Sequence, residues 1–110
     1  MMSYHIITTD IFEKQLSKLD PQLQKRVSQE IVQIGKNPFS GKPLSYNFFR
    51  EKKMLKYRLY NLVYEEFLII FLIKISSKKD QQRTIDSIKS LISYYNQLVR
   101  EKVNAEVSTP

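Results

Sequence analysis

Two hydrophobic periods divide the chain. Between residues 10 and 34 apolar side chains return every three or four positions, the helical period. Between residues 44 and 75 they alternate or run continuously, as in strands. Ahead of both, Tyr4 to Thr8 is short and rich in β-formers and reads as a strand. Thr9 then has a hydroxyl that can accept from the free N–H groups of a first helical turn. Asp10 and Glu13 suit that positive end. Phe12, Leu16 and Leu19 make one stripe, with Lys14 and Lys18 on the wet side. Asp20-Pro21 ends this helix and opens the next. Leu23, Val27, Ile31 and Ile34 form its buried face, Gly35 is expected as its C-terminal cap, and Pro38 blocks continuation. So short a link predicts an antiparallel helical hairpin.

Asn37 to Pro43 is a loop. Leu44 to Arg50 reads as a strand, Glu51 to Met54 as a polar turn, and Leu55 to Glu65 as a second strand. Alternation puts Lys56, Arg58, Tyr60, Leu62 and Tyr64 on one face of that strand, cations first and apolar groups further on. Glu65-Glu66 makes a reversal into Phe67 to Ile75, apolar enough for a central strand buried on both faces. Ser77, with Asp80 three residues on, approximates a capping box. Ile85, Ile88, Ile92, Tyr95 and Val99 form one stripe, which predicts a single long helix from about Lys79 to Lys102 and a frayed tail over 103–110. The order is β-α-α-β-β-β-α: an α+β fold in which a helical hairpin packs on a small, mostly antiparallel sheet. With 110 residues, one domain over 1–110 with a core from about 4 to 102 is expected.

Composition narrows the chemistry. There is no Cys and only one His, so thiolate nucleophiles, disulfides and His- or Cys-based metal clusters are not expected, and no cofactor is implied. His5 reads as a strand-edge residue. The N-terminus lacks a signal-peptide pattern and no apolar run approaches membrane-spanning length, which predicts a soluble, cytoplasmic protein without a membrane partner. The net charge is +7. Residues 50–83 carry nine Lys and Arg against four Asp and Glu, so most of the excess sits there. Arg50, Lys52, Lys53, Lys56 and Arg58 lie at one end of the apolar stretch, and Lys78, Lys79 and Arg83 at the other. A hairpin brings these ends to one sheet edge. Concentrated basic charge suits a nucleic-acid backbone or an acidic protein.

The segments FEKQLSKLDPQLQKRVSQEIVQIGKNPFSGKPL, YRLYNLVYEEFLIIFLIKIS and SKKDQQRTIDSIK, in this order, resemble the first two helices and loop, the paired central strands and the following basic segment of the RelE/ParE toxin superfamily. The resemblance covers residues 4 to 92 and rests on element order and strand pattern, not on a single motif. It implies a RelE-like toxin of a toxin–antitoxin pair. Such toxins are metal-independent endoribonucleases that cut mRNA on the ribosome, with the 2′-hydroxyl attacking the neighbouring phosphate, and a cognate antitoxin silences them. It also implies roles. Arg50, Lys53, Arg58 and Lys79 correspond to catalytic cations, with Lys52, Lys56, Lys78 and Arg83 as further RNA contacts.

Self-cleavage of RNA needs no protein nucleophile. It needs in-line geometry, an acid, a base, and fixed positive charge at the phosphorane, often the largest contribution. Tyr57 and Tyr60 could stack a base or assist proton transfer. Asn61 stands where many RelE-like toxins carry an Arg, and Ile85 near where some carry a catalytic Tyr. These departures keep two alternatives open: a ParE-type toxin of the same fold acting on DNA gyrase, and a nucleic-acid-binding module without catalysis.

Overall fold

The computed structural model describes residues 3–108. A strand β1 (His5–Thr8) leads into helices α1 (Asp10–Ser17) and α2 (Pro21–Lys36). Strands β2 (Lys42–Leu44), β3 (Tyr46–Met54), β4 (Tyr57–Tyr64) and β5 (Ile69–Ser77) follow, then helices α3 (Gln81–Ser90) and α4 (Ile92–Ser108). The five strands form one sheet in the order β1-β5-β4-β3-β2. β1 runs parallel to β5, and the other pairs are antiparallel. The fold is α+β, with the expected helical hairpin and mostly antiparallel sheet.

The helix starts follow their caps. Thr9 Oγ1 accepts from the Phe12 N–H at 2.9 Å and donates to the Ile73 carbonyl at 2.6 Å, so one hydroxyl caps α1 and ties it to β5. Asp20 accepts from the Leu23 N–H at 3.0 Å, with Pro21 opening α2. The stripes then bury as their period requires. Phe12, Val27 and Ile34 pack with Leu59, Ile70, Leu72 and Ile75 on one face of the sheet. On the other face Phe49, Tyr60, Leu62, Phe71 and Ile73 meet Ile88, Tyr95 and Val99 of the C-terminal helices.

Five local expectations are corrected. The turn after the first long strand is Leu55-Lys56, not 51–54, so β3 runs on through Glu51, Lys52 and Lys53 to Met54. Leu55 takes a left-handed φ of 57°, a conformation usually left to Gly or Asn. Gly35 does not end α2. It is buried inside the helix against Ile6, and Asn37 is the C-cap. The reversal between β4 and β5 is a short 3-10 turn, Glu65–Phe67, followed by Leu68 at φ 54°, so the strand begins at Ile69. Ser77 is the last residue of β5. Its hydroxyl still accepts from the Asp80 N–H at 3.4 Å, but the helix begins at Gln81. Finally, the C-terminal helix is two helices broken at Leu91. The second continues past Lys102 to Ser108, with 109–110 outside the described residues.

One irregularity matters for the site. In the β4–β5 register Tyr60 faces Lys74 but Asn61 faces Leu72, so Ile73 is an extra residue on β5. This bulge switches the alternation. Ile73 packs on the α3–α4 side, Ile75 on the α1–α2 side, and Lys74 and Ser76 fall on the side of Tyr60 and α3.

Candidate nucleic-acid interface

The β3–β4 hairpin sets the candidate site. Lys53 pairs with Arg58 and Glu51 with Tyr60 in its register. Alternation from Tyr60 puts Glu51, Lys53 and Arg58 on the sheet face that α3 covers. A groove of about 440 Å³ opens there, lined by Glu51, Lys53, Arg58 and Gln81, with Lys42 and Lys52 at its rim. The loop before β2 forms its far wall. It can lie this close because Gly41 has no side chain: a Cβ there would sit 2.5 Å from the Glu51 carbonyl oxygen.

Arg58 is the exceptional charge in this groove. It is only 7% exposed, yet its guanidinium donates one hydrogen bond, to the Tyr57 carbonyl at 3.2 Å. Among the described residues it makes no ion pair. A buried cation short of acceptors favours an anion at its free face. Glu51, 6% exposed, accepts from Gln81 Nε2 at 2.8 Å, which fixes a carboxylate beside the cations. The sequence pattern places Glu51 in a turn, away from such a site. Its place in β3 becomes visible only once the hairpin tip is put at Leu55.

The other expected residues are distributed differently. Arg50 points away from the groove. Its guanidinium donates to the carbonyls of Phe39 (2.7 Å), Gly41 and Asn47, and stacks over the Phe39 ring at 5.4 Å. It therefore staples the loop to β3. Lys52 reaches the same loop, at Ser40 Oγ. Lys56 sits at the hairpin tip with its ammonium 5.6 Å from the Tyr57 ring centre. Tyr57 lies on the α1–α2 side of the sheet, not beside Arg58. Tyr60 is fully buried and its hydroxyl is 2.9 Å from Ser76 Oγ, so it is core and not a stacking platform. Burial first, and then the neighbouring Glu51 charge, push its hydroxyl up to about 12 against the relief from Ser76. Lys78 and Lys79 are exposed in the turn after β5, outside the groove's lining. Arg83 is exposed on α3 and pairs with Asp80. Asn61 is buried, with its Nδ2 unpartnered. Among the described residues no cluster of His, Asp and Glu could hold a metal ion, and no helix is long and apolar enough to cross a membrane.

No protein-family model matches the sequence, and no curated protein matches it. Solved structures do. The E. coli toxin RelE, as a mutant in the free state, superposes with a TM-score of 0.66 at 19% identity, over 78% of this chain and 93% of that one. The E. coli RelBE toxin–antitoxin complex matches with a TM-score of 0.63 at 19% identity, over 68% and 96%. The archaeal RelE–RelB complex from Pyrococcus horikoshii matches at 0.55 and 14% identity, over 70% and 97%. The chain therefore has the RelE-like fold.

Proposed function

We propose that this chain is the toxin of a toxin–antitoxin pair and that the β3–β4 groove cleaves mRNA on the ribosome without a metal ion. One observation carries the reading: Arg58 is a buried, unpaired guanidinium in a groove that also holds Lys53 and the fixed carboxylate of Glu51. The fold is that of proteins whose solved complexes contain a toxin and its antitoxin, so an antitoxin partner fits the same reading.

The chemistry follows from the residue types. The RNA 2′-hydroxyl attacks its own 3′-phosphate, the new O–P bond forms, and the bond to the 5′-oxygen breaks. Glu51 takes the hydroxyl proton. Arg58 grips the phosphate oxygens bidentately, and Lys53 offsets charge on the leaving 5′-oxygen, which takes up a proton from water. The upstream product is a 2′,3′-cyclic phosphate and the downstream product a free 5′-hydroxyl. Lys52, Lys78 and Lys79 flank the groove as backbone contacts, and Lys79 acts in RNA binding more than in the chemical step, because it lies outside the lining.

The test is induced expression in growing cells with mapping of mRNA 5′ ends. Growth arrest with new ends inside reading frames, abolished by Lys53→Ala with Arg58→Ala, supports the reading. Arrest with intact mRNA and damaged DNA supports a gyrase-directed toxin instead. Burial of the Tyr60 hydroxyl favours a second reading, a groove that binds RNA without cutting it; binding that falls steeply with salt and yields no new ends supports that one.

A further inference from the structure

β5 is almost wholly apolar from Ile69 to Ile75, with Lys74 as the exception. The bulge at Ile73 turns this ammonium toward α3, where it is half-buried. Its hydrogen bond there is a long one, 3.4 Å to Ser87 Oγ. Among the described residues no carboxylate lies within ion-pair distance of it. Asp80, the one carboxylate lining the surrounding cleft, pairs with Arg83. A half-buried ammonium without a counterion costs stability unless something anionic comes to it.

The space for that anion is present. β1 stops at Thr8, opposite Leu72, so the edge of β5 beyond that point has no neighbouring strand. Along this open edge runs a cleft of about 560 Å³, between α1 and α3, within the ~300–1,000 Å³ range of small-molecule sites. Lys18 from the end of α1, Lys74 from β5 and Arg83 from α3 line it, against the single acid Asp80. Tyr57, half-buried, is its one aromatic wall. It shares no lining residue with the Glu51–Arg58 groove.

We propose that this cleft binds the phosphate ester of a nucleotide, with Lys74, Lys18 and Arg83 around the phosphate and the Tyr57 ring against the base. The cations come from three separate elements, so the site is assembled by the tertiary fold. The ring is the reason for a nucleotide rather than a bare anion: stacking on an aromatic face is open to every base. The ligand is either a free nucleotide or a phosphate within an RNA chain, since both present the same chemistry.

The test is calorimetric titration of the full chain with AMP and with adenylyl-adenosine, whose only phosphate is an internal diester. Binding of AMP alone identifies a free nucleotide or an RNA end as the ligand. Comparable binding of the dinucleotide, or binding of it alone, identifies an internal RNA phosphate. In either case Lys74→Met is expected to weaken binding by at least about tenfold. The unliganded Lys74→Met protein should melt no lower than the native one, because an unpaired ammonium is replaced by an apolar chain of similar shape. Arg83→Gln, an exposed change without folding risk, should also weaken binding, and Arg58→Ala should leave it unchanged. The proposal is overturned if neither probe binds, if both the Lys74 and Arg83 variants bind as the native chain does, or if Arg58→Ala removes the binding.

Discussion

Gln81, the first residue of α3, donates its side-chain amide to Glu51 of β3 at 2.8 Å, across thirty residues of sequence. This bond joins the C-terminal helices to the floor of the groove. It also holds one oxygen of a carboxylate that shares its groove with Lys53 and Arg58. Glu51→Gln keeps the shape and removes the proposed base. Cleavage should fall by roughly 10²–10⁴-fold with the melting temperature nearly unchanged. Single-turnover cleavage beside a thermal melt checks both. A variant that cuts at the native rate excludes Glu51 as the base.

Arg58 and Lys79 separate the groove from the turn beside it. Arg58→Ala should cost about 10²–10³ in the cleavage step, the scale for losing one fixed charge at a transition state. Lys79→Ala should chiefly weaken RNA binding and flatten its salt dependence. Rate constants at saturating RNA, with affinities measured at several salt concentrations, distinguish the two. Equal losses in the chemical step would put Lys79 back beside the phosphate.

Arg50 should behave as a structural residue. Arg50→Ala removes three carbonyl contacts and the stack on Phe39, and should cost about 2–3 kcal/mol of stability in urea unfolding. Arg50→Lys should restore only part, because a point charge cannot span the same fork of acceptors. Full stability with lost cleavage would instead make Arg50 catalytic.

Gln15 protects the open edge of β5. Its side chain donates to the Ile75 carbonyl and accepts from the Ile75 N–H, both at 2.8 Å, so one carboxamide replaces a missing strand. Gln15→Leu leaves both backbone groups unpaired at a cost of about 1–3 kcal/mol. It also frees a pairing edge. Urea unfolding should report the first effect and light scattering the second.

Burial raises the hydroxyls of Tyr60, Tyr64 and Tyr95 above the ordinary value of 10.0. The unfolded chain ionises near 10, and Tyr60 in the fold near 12. The fold therefore holds its proton longer than the unfolded chain does. The stability contributed by the Tyr60 hydroxyl is complete below pH 10 and is lost as pH rises through about 12. Tyrosinate absorbance should show a late-titrating group among the seven tyrosines, reduced by Tyr60→Phe.

Much of this arrangement is legible in the sequence, for identifiable reasons. Thr9 and Asp20-Pro21 are local signals, read by the backbone within three residues of themselves, so the helix starts follow directly. The apolar run after Glu66 can only be a central strand. The turn at Leu55-Lys56 is hidden because Leu does not favour the left-handed φ that Leu55 takes. The break at Leu91 has no Gly or Pro to announce it. The bulge at Ile73 is invisible without its partner strand, and with it the placement of Lys74. The candidate site was half legible for the same reason. Arg58 follows from the alternation along its strand, whereas Glu51, Lys53, Arg50, Tyr57 and Tyr60 depend on where the hairpin turns and on its register.

The proposed groove positions RNA so that it cuts itself. The direct measurement is the chemistry of the cut ends: mRNA bound to ribosomes, treated with the purified chain, and its fragments analysed by mass spectrometry. The account predicts an upstream 2′,3′-cyclic phosphate and a downstream 5′-hydroxyl, both missing with Arg58→Ala. Upstream 3′-hydroxyl and downstream 5′-phosphate ends, or intact mRNA under a fully growth-arresting chain, would contradict it.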